Sequence, residues 1–336
     1  MPLERIYLTR HGHRLNWTID LKTGTYHAQF PTPTGNPADP TLTSHGVQQS
    51  RELAAHLVSP QFEPKPCRVY CSPFYRCLQT IQPGVQALKE YYKNQGGEND
   101  VDLDVRIENG LGEWFGASTF FDHPSPASPL ALRSHFPTIM HPNPDEHYTA
   151  TVIPSGKGET ITQLHDRVAT TLAAIISDLD NEINTLEANQ PPEARSSKAI
   201  LICSHAAPLI AMGRALTGNM PEDPNEEDFN VFTSCLSTFV RRQQSPSDIS
   251  QQNERLAPGT KITRPEVKVP DWRGGRGVGG GWDCVSNGDC SFLSNGAERG
   301  WHFNGDESFD TGPMAPPTEP PTLSNQYAAP PPSTKL

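Results

Sequence analysis

Short runs of β-branched and aromatic residues recur along the chain, and each run stops at a polar loop. The runs span residues 5–9, 67–71 and 198–203. The second and third lead into segments with the apolar spacing of a helix, residues 74–92 and 208–216. Strand, loop and helix repeated in this order form a parallel sheet, because each helix returns the chain to the same edge. The pattern therefore predicts an α/β fold whose loops meet at one edge of the sheet.

Two further helices and one further strand belong to the same predicted sheet domain. Residues 43–58 carry apolar side chains on one side. Residues 160–186 open with Thr160 and Gln163 at the spacing of a capping box, which is a helix start signal. Residues 235–240 have the composition of a strand, and we expect this strand to close the sheet.

Composition divides the chain into a folded part and flanking polar segments. Only 35% of the residues are hydrophobic, and there are 34 prolines and 26 glycines. We expect the main domain to span residues 1–242, followed by a polar linker at 243–270. Several large aromatic residues in 271–310 indicate an extension that packs on the main domain. Residues 311–336 are rich in proline, which predicts a disordered or polyproline II tail.

Two polar insertions interrupt the predicted sheet domain at about residues 20–41 and 116–155. Both are long for connecting loops and lack a clear period. Two interpretations stay open from the sequence: the insertions cover the mouth of a pocket, or they are mobile.

Charge and cysteine content exclude several classes of protein. Lys and Arg number 27 against 38 Asp and Glu, so the net charge is −11, which is the opposite of a basic nucleic-acid binder. Seven cysteines in 336 residues are typical of reduced thiols. The first residues lack the apolar stretch of a signal peptide, and the longest apolar region, 199–216, is interrupted by polar residues. We therefore expect an intracellular protein of the cytoplasm or nucleus, with neither membrane association nor direct nucleic-acid binding.

Six polar residues are expected to converge at the loop edge of the sheet. They are Arg10, His11, Arg14, Arg76, Glu113 and His205. Several Arg side chains aimed at one point suit a phosphate group, because each guanidinium holds two oxygens at once. A neutral imidazole among guanidinium groups is kept deprotonated, so His11 is a candidate nucleophile for phosphorus. Glu113 lies beside Trp114, and we expect a raised pKa that leaves this carboxyl protonated as a proton donor.

The motifs that hold these residues resemble one known family. Residues 8–12 read Leu-Thr-Arg-His-Gly, residues 72–80 read Ser-Pro-Phe-Tyr-Arg-Cys-Leu-Gln-Thr, and residues 204–207 read Ser-His-Ala-Ala. Residues 42–49 and the stretch from Gly158 to Arg167 supply further matches in the expected order. Over roughly residues 4–242 the sequence resembles the histidine phosphatase superfamily, whose fold is phosphoglycerate mutase-like.

The resemblance implies a three-layer α/β/α fold with a mostly parallel sheet and helices on both faces. It implies that His11 becomes phosphorylated, that Arg10, Arg76 and His205 hold the phosphate, and that Glu113 donates a proton. Arg14 is expected to reach the same anion. His13 and Trp17 replace the Glu and Asn of mutases, which disfavours a mutase.

Within the superfamily, the motifs and the extension look most similar to the phosphatase-like domain of the tau subunit of fungal transcription factor IIIC. They are also similar to the phosphatase domain of animal ubiquitin-associated and SH3-containing suppressors of T-cell signalling. The first function hypothesis is a phosphomonoesterase with a phosphohistidine intermediate, no metal and no cofactor, most active at mildly acidic pH. Its substrate is a phosphorylated small molecule or a phosphoprotein. The second hypothesis is a phosphatase-like scaffold of a transcription or signalling assembly, with a protein partner bound through the extension or the Pro-rich tail.

Overall fold

The computed structural model describes residues 2–96, 100–188, 190–191, 195–243 and 255–303. The strands in these ranges are β1 (Arg5–Arg10), β2 (Trp17–Asp20), β3 (Thr25–Ala28), β4 (Pro66–Cys71), β5 (Arg106–Ile107), β6 (Val152–Ile153), β7 (Ala199–Ser204), β8 (Leu236–Arg241), β9 (Lys261–Ile262) and β10 (Trp282–Asp289). The helices are α1 (Ser44–Leu57), α2 (Tyr75–Asn94), α3 (Pro129–His135), α4 (Pro144–His147), α5 (Ile161–Glu187) and α6 (Ala206–Thr217).

A six-stranded sheet with the order β10-β8-β1-β7-β4-β5 forms the centre of the fold. The strands β1, β7, β4 and β5 are parallel, whereas β8 runs antiparallel to β1 and β10 antiparallel to β8. The prediction of a mostly parallel α/β sheet is confirmed. The expectation that residues 235–240 close the sheet is wrong, because β10 covers the outer edge of β8 with its own hydrogen bonds.

Alternating side chains on the central strands face opposite layers of helices. Ile6 and Ile200 contribute to an apolar cluster with α5 and α6, while Tyr7 and Leu201 contribute to a second cluster with α1 and α2. Successive residues of a strand point to opposite faces, so two buried faces explain the nearly unbroken apolar character of β1 and β7. The layers are therefore helix, sheet and helix, as the sequence predicted.

The helix starts follow from local hydrogen bonds. The Thr43 hydroxyl accepts from the Gly46 amide at the start of α1. At the start of α5, Thr160 and Gln163 form both halves of the predicted capping box. At the start of α2 the Asp39 carboxylate accepts from the Tyr75 amide at 2.7 Å, which satisfies an orphan amide and places a negative charge at the positive end of the helix.

Both insertions fold against the loop edge of the sheet. The first contains β3, which pairs with β2 immediately before it in a hairpin, and the second contains α3, α4 and β6. Tyr26 of the hairpin contacts His123 of the second insertion, with the hydroxyl 2.5 Å from Nδ1. The hairpin turn at Gly24 needs a positive φ and lies so close to Phe121 that a Cβ would clash. The insertions therefore form one layer over the sheet edge.

The residues after β8 return to the main domain. In the described part of the predicted linker, β9 pairs with β6, and Arg255 bonds Asp166 at 2.8 Å. Trp272, Trp282 and Phe303 are buried in the same apolar cluster as α5 and α6. The predicted Pro-rich tail, residues 311–336, lies outside the described residues. None of the helices in the described ranges is long and apolar enough to span a bilayer.

Replacing Trp282 by Ala is expected to destabilise the fold by about 3–5 kcal/mol, because its fully buried indole would leave a cavity at the sheet edge. Val285→Ala on the same strand is the control, since Val285 is 61% exposed and its truncation is expected to change stability by about 0.5 kcal/mol or less. Urea unfolding followed by circular dichroism measures both. Equal effects of the two substitutions would show that β10 is not part of the cooperative fold.

Candidate active site

The loops after β1, β4, β5 and β7 bring the six predicted residues to one end of the sheet. Arg10 and His11 end β1, Arg76 lies in the first turn of α2, and His205 lies between β7 and α6. The six are not equivalent in burial. His11, Arg76 and His205 are buried, while Arg10, Arg14 and Glu113 are partly exposed. Parallel strands explain the convergence, because their carboxyl ends share an edge.

His11 is held in one tautomer. Its Nδ1 lies 2.9 Å from the Gly12 carbonyl oxygen, which accepts only, so Nδ1 carries the proton and Nε2 keeps a lone pair. Burial lowers the pKa of His11 well below its ordinary value, and the nearby Arg76, His205 and Arg10 lower it further. The lowered pKa favours the neutral imidazole, with the proton on Nδ1 and a lone pair on Nε2.

Arg76 is the most enclosed cation of the site. Nη1 donates to the Ala38 carbonyl at 2.9 Å and to Asp39 Oδ1 at 3.1 Å, and Nη2 donates to Glu113 Oε2 at 3.0 Å. The guanidinium also lies over the ring of Phe74, 4.6 Å from its centroid. These contacts fix the guanidinium in one orientation, and an anion would bind Nη2 in competition with Glu113.

His205 shares a charged contact with Glu113. Its Nε2 lies 2.7 Å from the Ser72 hydroxyl, and its Nδ1 lies 3.2 Å from Glu113 Oε2. Burial disfavours the imidazolium, but Cys77 and Glu113 outweigh burial and raise the pKa of His205 above its ordinary value. Arg76 Nη2 also lies 3.1 Å from Nδ1, so Nδ1 donates to Glu113 as an ion pair only in its protonated form.

The expected raised pKa of Glu113 is wrong. Burial does act in that direction, but His205 and Arg76 outweigh it and lower the pKa of this carboxyl well below its usual range. Trp114 is next in sequence, yet it is the Trp114 amide, not the indole, that bonds Glu113, at 3.1 Å. In this structure Glu113 is therefore a carboxylate between two cations.

Arg10 and Arg14 lie at the open side of the site. Arg10 Nη1 donates to the carbonyls of Val231 at 3.1 Å and Arg299 at 2.6 Å, so part of its donor fork is already used. Arg14 lies over the Trp17 ring, 5.8 Å from its centroid, and burial lowers its pKa to about 10. Both guanidinium groups stay charged at neutral pH and face the same cavity as His11.

Two positioning residues have weaker sequence signals. Asp39 fixes Arg76, but it lies in an insertion without periodicity, and only the folded chain shows its role. Arg167 donates to the carbonyls of Gly110 and Gly112 at 2.7 and 3.1 Å, which holds the loop before Glu113. Arg167 belongs to a motif of the sequence analysis, but its partners could not be found there.

A metal ion is a poor match for the site, although its geometry permits one. Among the described residues, His11, Glu113 and His205 place possible ligand atoms within 4.8 Å of one another. The charges oppose a cation, because Arg76 contacts both Glu113 and His205, and burial and nearby arginines already disfavour positive charge on His11. The same charges favour an anion with several oxygens.

A cavity of about 340 Å³ opens onto this cluster. Arg10, His11, Arg14 and Glu113 form one end of it, and aromatic side chains form much of the rest. A larger cavity of about 730 Å³ lies between the loop after α6 and the extension and includes none of the six residues. The smaller cavity is therefore the candidate active site.

A buried histidine with a free nitrogen, set among guanidinium groups at the end of a parallel sheet, defines a site for phosphoryl chemistry. The sequence matches the family described as "Histidine phosphatase superfamily (branch 1)" over residues 6–251, which is more than half of the chain. The chain belongs to this superfamily.

Two curated proteins are similar in sequence. The "Transcription factor tau 55 kDa subunit" of Saccharomyces cerevisiae is 29% identical over 309 residues, covering 90% of this chain and 59% of that protein. The "Ecdysteroid-phosphate phosphatase" of Drosophila melanogaster is 26% identical over 244 residues, covering 66% of this chain and 28% of that protein. The chain thus spans well under two thirds of either relative.

Solved structures with a similar fold share little sequence. The ecdysone phosphate phosphatase from Bombix mori in complex with tungstate is 18% identical with a TM-score of 0.47, covering 76% of this chain and 98% of that chain. A phosphoglycerate mutase from Bacillus anthracis is 15% identical with a TM-score of 0.42, covering 87% of this chain and 96% of that chain.

Gly12→Ala is expected to weaken binding of orthovanadate, a phosphate mimic, by about a hundredfold, because small misplacements of site groups have effects of this size. The new Cβ would lie 2.9 Å from the Gly46 carbonyl oxygen and would push the His11 loop out of position. Gly156→Ala is the matched control, since its Cβ meets only ordinary contacts. Isothermal titration calorimetry measures the affinities, and unchanged binding by Gly12→Ala would contradict the assigned geometry.

Proposed function

We propose that this protein is a phosphomonoesterase that acts through a phosphohistidine at His11. The observation that carries the proposal is the buried His11 ring, whose Nδ1 is bonded to Gly12 while Nε2 stays unprotonated near Arg76 and Arg10, with Arg14 lining the same cavity. This combination supplies a nucleophile and the positive charge that a transferring phosphoryl group needs. The membership of the histidine phosphatase superfamily supports the same reaction.

In the first step His11 Nε2 attacks phosphorus in line, and the bond between phosphorus and the leaving oxygen breaks. Arg10, Arg14 and Arg76 spread the charge of the three equatorial oxygens. The leaving oxygen takes a proton from the pair of Glu113 and His205, which shares one proton across 3.2 Å. A phosphate dianion beside the pair raises the pKa of Glu113, so the proton moves toward the carboxyl when substrate binds.

In the second step water attacks the phosphohistidine. Glu113 takes a proton from this water, the bond between Nε2 and phosphorus breaks, and inorganic phosphate leaves. The three guanidinium groups supply the charge that a metal supplies in other phosphatases, so we propose a reaction without a metal.

His11→Ala is expected to lower kcat/KM for p-nitrophenyl phosphate at least about 10³-fold, because removal of a nucleophile removes the covalent path. His27→Ala is the control, since His27 is exposed on β3. Assays contain EDTA throughout, and 31P NMR of alkaline-quenched enzyme tests for the phosphohistidine. Turnover by His11→Ala at the native rate would reject the proposal, and loss of turnover in EDTA would reject its metal-free form.

The pH profile of kcat/KM is expected to be bell-shaped. The acid limb lies well below pH 6.5, because the lowered pKa of His11 keeps this nucleophile neutral as the pH falls. The alkaline limb lies above pH 6.5, because the raised pKa of His205 keeps the proton on its pair with Glu113. A stopped assay from pH 4.5 to 9 measures both limbs, and a flat profile from pH 5 to 9 would contradict these roles.

A second proposed function is a subunit of an assembly like transcription factor IIIC. The observation in its favour is the similarity to the tau 55 kDa subunit over 90% of this chain, which reaches into the aromatic-rich extension. The same similarity supports a nuclear location and a protein partner bound by the extension or by residues 311–336. Replacing the native gene by His11→Ala separates the two functions: a scaffold role survives the substitution, whereas a role that needs turnover does not.

A further inference from the structure

One wall of the candidate active site is built from aromatic rings. Trp17 and Tyr26 of the hairpin lie 5.2 Å apart between centroids, and Phe115 lies 6.5 and 6.1 Å from them. His123 completes this group, with its ring stacked 4.9 Å from Phe115. We call these four residues the aromatic wall. All four line the cavity that His11 faces.

The wall is held rigid by hydrogen bonds at its outer side. The Tyr26 hydroxyl donates to His123 Nδ1, and His123 Nε2 donates to the Gly116 carbonyl at 2.8 Å. Burial lowers the pKa of His123, so its ring stays neutral. Rigid rings lose little entropy when a flat ligand stacks on them, which makes the wall a prepared surface.

The wall also limits the charge of the ligand. Of the cavity-lining residues in the described chain, Arg10 and Arg14 are the cations, and Arg14 lies over the Trp17 ring of the wall. The remaining lining residues add the apolar side chains of Ile19 and Leu21 and the Trp301 indole. Beyond the reach of Arg14, a second phosphate or a carboxylate on the leaving group would face Tyr26, Phe115 and His123, and its desolvation would be uncompensated.

We propose that the aromatic wall selects phosphate monoesters whose leaving group is an uncharged aryl or arylmethyl alcohol. The phosphate sits against His11 and the arginines, and the ring of the leaving group packs on the cavity side of the aromatic wall. Arg14 belongs to both parts of the site, because it lies over Trp17 of the aromatic wall and lines the same cavity as His11. This selectivity rests on the proposed phosphomonoesterase function, but the preference of the cavity for binding an aryl group can be measured without turnover.

The first experiment compares benzyl phosphate with glycerol 3-phosphate and 3-phosphoglycerate. All three carry a single phosphate on an alkyl oxygen, so the ring and the added charge are the main differences. We expect kcat/KM for benzyl phosphate to exceed both others by about tenfold to a hundredfold, the value of burying one ring. Equal hydrolysis of glycerol 3-phosphate would overturn the proposed selectivity while leaving the phosphatase function intact.

Substitutions in the aromatic wall show which residues cause the preference for an aryl leaving group. Trp17→Ala is expected to raise KM for benzyl phosphate about tenfold more than KM for glycerol 3-phosphate, because any effect through Arg14 is common to both substrates. Phe30→Ala is the matched control, because Phe30 is an exposed aromatic residue of the same insertion. Phe115→Leu tests a second ring of the aromatic wall if Trp17→Ala fails to fold. Parallel losses on both substrates would overturn the proposal.

Non-hydrolysable ligands separate the two proposals. Benzylphosphonate is expected to bind at least about tenfold more tightly than ethylphosphonate by calorimetry. Tight binding without turnover of any ester would reject the phosphatase function and keep the aryl preference, and equal affinities would reject the preference. A last comparison uses phenyl phosphate and a phosphotyrosine peptide. Faster hydrolysis of phenyl phosphate would indicate that the substrate is a small molecule, and faster hydrolysis of the peptide would indicate that it is a phosphoprotein.

Discussion

The buried guanidinium of Arg76 is the constraint on which the site depends. Removing such a group from water is tolerated only when hydrogen-bonded anions replace the lost hydration. Asp39 and Glu113 supply those anions from an insertion and from the loop after β5, and the neighbouring His205 comes from the end of β7. The two carboxylates differ in one respect, because Asp39 is fully enclosed whereas Glu113 faces the cavity. An incoming anion therefore competes with Glu113 for Arg76, while Asp39 keeps the guanidinium in place.

Much of the framework could be predicted from local sequence. The helices begin where short-range signals place them, as the Thr160 capping box does for α5, because such bonds involve neighbours in sequence. The residues of the site could be grouped since each follows a buried strand, and parallel strands end at one edge. What joins Arg76 to Asp39, or Tyr26 to His123, is set by tertiary packing across insertions without periodicity, and no local pattern carries that information.

Two predictions failed for the same physical reason. In both, contacts with residues distant in sequence had a larger effect than the neighbouring residues on which the prediction was based. Trp114 suggested a desolvated, protonated Glu113, but two cations from other strands reverse the shift of its pKa. The composition of residues 235–240 predicts a strand that closes the sheet, whereas β10 has a poor strand sequence, with Asn287 and Gly288 near its end. β10 forms nonetheless, since Trp282 is buried and the ladder to β8 tolerates irregular register.

The contact between Arg10 and the Arg299 carbonyl joins residues 289 positions apart in the chain. The loop of His11 and the segment that contributes to its surroundings are therefore synthesised far apart in time. Strands β7 and β8 lie on either side of β1 in the sheet, and β10 lies beyond β8. All three come much later in the sequence than β1. Folding with such high contact order is slow, so strand β1 stays unpaired and open to chaperones until β7 and β8 have been synthesised.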